Sequence, residues 1–317
     1  VQASDHFVYH QQNQDGALYL YCNAPLAWRS GVYDGGVHDH YVNYVIRSIA
    51  ANCILVTDPQ EQFHGPDGVE AVNEGGQVIG NWMPKANDMA SLQHLRTERG
   101  SYADRVTWLA YESGEGYGYA AFEYGRAYAT GKVPEATRQV VFLKPDWVVV
   151  LDRVSSGDPT FQKTFVLHAP EEMEVDPAAG RTTITTRSGP ATAAPGRLFC
   201  QTVLPEGARL ARVGGVGEEF VSAGANRPHR GGVKLQLPGT YRLEVEAPTG
   251  RATTVFLHAF YLCPSVEAEE MPGVELLPDD GQHARLALAG GKYVLRFPLA
   301  GAADWQWVKG GTRKSSR

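Results

Sequence analysis

The residues able to do chemistry crowd into the first fifth of the chain. His10 follows Tyr9 and opens a polar run, Gln11 to Asp15, ahead of an apolar stretch. An imidazole in such a sheet-edge loop titrates near neutrality and can move a proton; a plain surface histidine is the alternative. His38-Asp39-His40 sets two imidazoles two residues apart. On extended backbone they face one side and can share a metal, provided Asp34 or His64 supplies a third ligand. His40 reads equally as a cleft-lining or a packing residue. Tyr44 stands three residues before Arg47. A phenol serves as a base only when a cation lowers its pKa of about 10; structural hydrogen bonding is the other reading of both. Asn52 suits either backbone groups at a cleft rim or a substrate contact. His168 and His258 each end an apolar run and read as satisfied core or edge histidines.

The elements that must position these groups are strands. Ala17 to Cys22, Asn52 to Val56, Gln139 to Leu143 and Trp147 to Leu151 are compact apolar and aromatic runs. Continuous runs of this kind predict strands buried on both faces, as in the middle of stacked sheets. Lys144-Pro145-Asp146 predicts a hairpin between the last two. Arg138, Asp152 and Arg153 bracket that hairpin, where an ion pair across neighbouring strands would fix register. Further runs cover 160–168, 181–186, 233–237, 241–246, 253–262 and 293–297. In 241–246 the alternation puts Leu243 and Val245 on one face and Arg242, Glu244 and Glu246 on a wet one. Only 87–99 reads as helix, with Asn87 as N-cap and Gly100 past the end. The Gly75-Gly76 and Gly214-Gly215 pairs mean turns. The fold class is therefore all-β: one large antiparallel β-sandwich over 1–300, with Ser155 to Pro159 a loop inside it. Residues 301–317 read as a C-terminal segment and frayed basic tail.

Composition narrows the function classes. Hydrophobic content of 43% and charged content of 20% are ordinary for a globular chain. The net charge of −6 lacks the basic field of a nucleic-acid binder, although local positive charge in a cleft still suits an acidic polysaccharide. Cys22, Cys53, Cys200 and Cys263 form no CxxC pair and sit in apolar contexts. That favours buried thiols over metal ligation, with one disulfide left open. No run approaches 18 apolar residues, so no membrane span is expected. The start at Val1 with no signal-peptide pattern reads as a cut N-terminus.

Three segments resemble the heparinase II/III-like polysaccharide lyase family. The first is Gly31-Val32-Tyr33-Asp34, then His40-Tyr41-Val42-Asn43-Tyr44, then Arg47-Ser48-Ile49-Ala50-Ala51-Asn52. The second is Val56 to Phe63 with Asn73-Glu74-Gly75-Gly76-Gln77. The third runs from Arg138 to Pro145 and through Asp152-Arg153-Val154 to Phe165-Val166-Leu167-His168. Order and spacing agree across residues 5–170; beyond them only Val255-Phe256-Leu257-His258 is similar.

The resemblance implies a β-sandwich that follows an N-terminal α/α toroid, with an active cleft between the two. No segment of this chain reads as that toroid, so a missing N-terminal segment or separate chain is an expected partner. The implied chemistry is β-elimination on a uronic acid by a tyrosine or histidine base and acid. His10, His40 and Tyr44 are thereby expected catalytic residues, and Gln12, Arg29, Arg47 and Asn52 expected substrate contacts. The family's zinc ligands fall on Gln12, Arg29 and Ala51. An amide, a guanidinium and a methyl do not hold zinc, so no cofactor is expected and Arg29 is expected to take over the metal's electrostatic role. A lyase half acting on an acidic glycan and a non-catalytic carbohydrate-binding or structural sandwich descended from one both remain. By the same analogy the expected location is extracytoplasmic.

Overall fold

The computed structural model describes residues 1–5, 12–65, 68–79, 87–97, 104–189, 192–231, 239–263, 265–278, 280–309 and 312–315. Three antiparallel sheets stack face to face. The front sheet has four strands in the order Arg209–Gly214, Tyr241–Glu246, Gln162–Ala169, Ile54–Thr57. The central sheet has eight, in the order Met173–Asp176, Arg181–Thr186, Gly196–Leu204, Thr253–Cys263, Trp147–Ser155, Glu135–Leu143, Tyr117–Glu123, Thr107–Gly114. The back sheet has five, in the order Val274–Leu277, His283–Leu288, Tyr293–Pro298, Gln306–Lys309, Thr312–Ser315.

Alternation explains the stacking. Ile54, Val56, Phe165, Leu167, Leu243 and Val245 of the front sheet meet Val140, Val148, Val150, Phe256 and Phe260 of the central sheet in one core. The intervening residues of those central strands, Val141, Val149, Leu151, Leu257 and Ala259, form a second core with Leu286, Leu295, Phe297 and Trp307 of the back sheet and with Trp305 just ahead of its strand Gln306–Lys309. The unbroken apolar runs therefore mark strands apolar on both faces. Leu143 pairs with Trp147 around the expected hairpin, and Ser155 to Pro159 carries the chain from the central to the front sheet. Register in the central hairpin is held by Arg138, which lies opposite Asp152 and donates to it twice, at 2.6 and 2.8 Å. The same guanidinium donates to the carbonyls of Gly16 and Asn52.

Three expectations need correction. The segment expected as a tail over 301–317 contributes the strands Gln306–Lys309 and Thr312–Ser315, and Trp305 and Trp307 are buried against the central sheet. The helix runs Met89–Thr97 and is capped by Asp88 rather than Asn87, through Ser91 N–H to Asp88 Oδ1 at 2.8 Å; the expected Gly100 stop and the whole strand expected over 233–237 lie outside the described residues. Short helical turns at Tyr41–Val45 and Ser48–Ala50 replace the extended backbone expected around His38 and His40. All four cysteines are free thiols. No helix among the described residues is long and apolar enough to cross a membrane.

Candidate functional site

The turns over 41–50, which carry Tyr44 and Arg47, are clamped by the segment 12–15. Asn13 N–H and Nδ2 both donate to Ile46 O, at 3.1 and 2.8 Å, and Ser48 Oγ donates to Asn13 O at 2.7 Å. The segment 12–15 is fixed in turn by Gln77, which exchanges two hydrogen bonds with the backbone of Asp15, and by the buried Arg105–Asp15 pair at 2.6 Å. Gln12 sits on this segment, half-buried. His10 lies outside the described residues. At Gly75 a left-handed φ of 80° and the close approach of Thr57 Oγ1 leave no room for a side chain, and Gly75 O accepts from Val56 N–H.

His40 is fully enclosed and spends both ring nitrogens. Val32 N–H donates to Nε2 at 3.1 Å, and Nδ1 faces the carbonyl of Arg227. An amide donor on one side and a carbonyl on the other require the neutral tautomer with the proton on Nδ1. Burial pulls the pKa below the usual histidine value, in the same direction. The ring stacks on Tyr44 and meets Phe220 edge-on. His38 turns instead to Asp34 at 2.6 Å. The two imidazoles stack 6.5 Å apart without a common ligand position, and no set of metal-ligating side chains converges among the described residues.

Tyr44 and Arg47 point apart. Tyr44 is buried and donates to Ser30 Oγ at 2.9 Å. Burial raises its pKa despite Arg242 at the phenol and Arg29 nearby. Arg47 donates to Glu74 at 2.9 Å and lies over the Phe63 ring. The expected cation, Arg47, is thus turned away from the Tyr44 phenol, and burial outweighs the guanidiniums of Arg242 and Arg29 that do reach it, so the phenol is not a base at neutral pH. Asn52 is equally committed. Its Nδ2 donates to Leu18 O at 2.6 Å, while Oδ1 accepts from His168 N–H at 2.7 Å and faces His168 Nδ1 at 3.1 Å. The His168 ring is buried and neutral, its pKa held well below normal by burial and by Arg242 and Arg29.

Arg29 is the unusual member. Its guanidinium donates to Val45 O, its Nε is buried without a partner, and no carboxylate pairs with it among the described residues. Burial lowers its pKa, opposed by the phenols of Tyr19, Tyr44 and Tyr41. The Tyr19 phenol is itself pushed up to about 12 by burial, with Arg29 opposing. Ala51 is sealed against Ala17 and Cys53, with Tyr19 packed on them. Arg29 and Ala51 therefore share the neighbours Tyr19 and Cys53. Arg29 is half-buried, and a guanidinium partly withdrawn from water with no carboxylate partner favours an incoming anion.

The structure thus brings buried Tyr44, His168 and Arg242 together with half-buried Arg29, stacks His40 on Tyr44, and turns Arg47 away. Sequence reasoning missed Arg242 and Ser30. The only signal for Arg242 was its place on the wet face of an alternating strand.

No protein-family model matches this chain, and no curated protein sequence does. Solved structures do match. A heparan sulfate lyase HepC mutant from Pedobacter heparinus superposes with a TM-score of 0.61 over 94% of this chain and 39% of its own, at 16% identity. Heparinase III, the BT4657 gene product, gives 0.60 over 94% and 38% at 13% identity. A further heparinase III gives 0.52 over 97% and 36% at 11% identity. The chain therefore spans under two-fifths of the length of these structures and shares with them the fold of their β-sandwich part.

Proposed function

We propose that this chain is the β-sandwich wall of a polysaccharide lyase that cleaves a uronate-containing acidic glycan by β-elimination. The observation that supports the reading most is a fold shared with heparan sulfate lyases over 94% of the chain. In the reaction a base takes the proton from C5 of the uronate. Its electron pair forms the C4–C5 double bond as the C4–oxygen bond breaks, and an acid protonates the departing oxygen. Negative charge grows on the uronate carboxylate, and the cost of that charge is what a fixed cation lowers. Arg29, lacking a carboxylate partner, is assigned that role, and His10 the proton transfer. The remaining acid–base group comes from a helical portion supplied by another segment or chain. A polymer substrate of this kind places the protein outside the cytoplasm.

A second reading rests on a specific observation. Both nitrogens of His40 are occupied, and Tyr44 is buried with a raised pKa, so neither is a poised base. A non-catalytic glycan-binding sandwich fits that equally. Incubation with uronate polysaccharides separates the two: a rise in ultraviolet absorbance from the new double bond supports the lyase. Retention on an acidic-glycan column with no rise, in the full-length natural protein, leaves the binding module.

A further inference from the structure

The outer face of the front sheet is where the wet side of 241–246 lies, and it is not open surface. The hairpin formed by Val221–Ser222 and Ala225–Asn226 covers one flank, and Asn73 and Glu74 the other. Between them runs a groove of about 370 Å³, within the usual range of about 300–1,000 Å³ for small-ligand sites. The hairpin is tied down by Arg242 to Val221 O at 2.8 Å, by His40 to Arg227 O and by Asp39 to Arg227 at 3.1 Å.

The lining has an unusual hydrogen-bonding balance. Its three carboxylates are each matched by one guanidinium: Glu244 by Arg242 at 2.7 Å, Glu74 by Arg47 at 2.8 Å, and Glu246 by Arg209. Net charge is therefore compensated, with one guanidinium edge directed at each carboxylate while Arg242 Nη1 donates to Val221 O. Gln162, beside them, donates its amide N–H groups to the carbonyls of Lys163 and Ala247, which leaves its Oε1 as an acceptor. Glu74 has a side chain only 1% exposed, and its Oε2 is buried without a hydrogen-bond partner. The hydroxyls of Thr57 and Thr164 complete the polar floor, and Leu55 and Val213 offer apolar contact beside them. A ligand suited to this groove brings several donors, no negative charge, and a C–H face.

We infer that this groove is a binding subsite for an uncharged, hydroxyl-rich pyranose unit. Carboxylates fixed by arginine keep lone pairs free to accept paired sugar hydroxyls, while an anionic sugar would add a fourth carboxylate to the three that line the groove. The inference goes beyond the proposed elimination chemistry and does not require turnover, so it is tested by binding.

Calorimetric titration with neutral N,N′-diacetylchitobiose, with its de-acetylated amine form and with a glucuronate-containing disaccharide reads the preference. The neutral sugar is expected to bind at least tenfold more tightly than the uronate. Thr164→Val and Glu246→Ala are each expected to weaken it by about three- to tenfold, the loss of one hydrogen bond of about 1 kcal/mol. Thr164→Phe is expected to abolish binding while the circular dichroism spectrum and thermal midpoint stay near wild type. Binding unaffected by a folded Thr164→Phe protein, or no saturable binding of the neutral disaccharide to the wild type, overturns the inference. Tighter binding of the amine form also overturns it, because the carboxylates would then act as uncompensated charges. Double-bond formation from an acidic polymer is a separate readout, and its failure leaves this result intact.

Discussion

Acidification should destabilise this protein through His258, by an amount set by the depressed pKa of one buried imidazole. The imidazole is enclosed among Phe165, Phe256 and Phe260 and lies opposite Thr202, whose Oγ1 is 3.2 Å from Nδ1. Its Nε2 is buried without a partner. Burial, aided by the Arg138 guanidinium, pulls its pKa down to about 3, against about 6.5 in the unfolded chain. Between those values the unfolded chain binds the proton and the folded chain does not. His258 therefore costs nothing above about pH 6.5 and destabilises increasingly as pH falls toward 3. From about pH 7 to about pH 5 the loss from this one group is about 2 kcal/mol. Urea unfolding of wild type and His258→Leu at both pH values isolates it, because the other titrating groups are common to both proteins. The wild type should lose about 2 kcal/mol more than the variant. Equal losses, within about 0.5 kcal/mol, would refute the argument, since the histidine would then titrate normally in the folded state.

Asp152→Asn should lower stability by about 3–5 kcal/mol in the same urea assay, because it leaves the buried Arg138 charge uncompensated. Tyr44→Phe should cost about 1 kcal/mol from the lost bond to Ser30 and leave any double-bond formation on uronate polymers within about threefold; a collapse of that rate would make the phenol a catalytic group after all. Arg29→Met should keep the thermal midpoint within a few degrees, as the lost carbonyl contact is offset by removal of a half-buried cation that has no carboxylate partner, yet release the protein from an acidic-glycan column at lower salt. Thiol labelling of the native protein should modify Cys22 alone, with Cys53, Cys200 and Cys263 reacting only after denaturation.

The layering was readable because apolar runs and alternating runs follow from different burial. Val148 to Leu151 must be covered on two sides, while Arg242, Glu244 and Glu246 need only one wet face. The Arg138–Asp152 pair was legible for the same reason, since opposite charges flanking a short turn fall into register. Residues 41–50 were not: valine and tyrosine there favour strands, and tertiary clamps from Asn13 and Ser48 override that preference. The same clamps decide where side chains point, so sequence spacing placed Tyr44 and Arg47 together while packing parts them. Arg242 could not be foreseen as a neighbour of Tyr44, because that contact joins residues far apart in the chain.

The two-sided burial of the hairpin over 135–155 also bears on how the chain is made. Its pairing partner Thr253–Cys263 leaves the ribosome roughly a hundred residues later, and the back sheet that covers its other face comes later still. At about 5–20 residues per second that is a wait of roughly 5–20 s. Throughout it, a valine-rich hairpin offers an unpaired edge and two bare faces to any neighbouring nascent chain. Yield from rapid synthesis should therefore be limited by this interval, and slower translation or a chaperone that shields extended apolar segments should raise it.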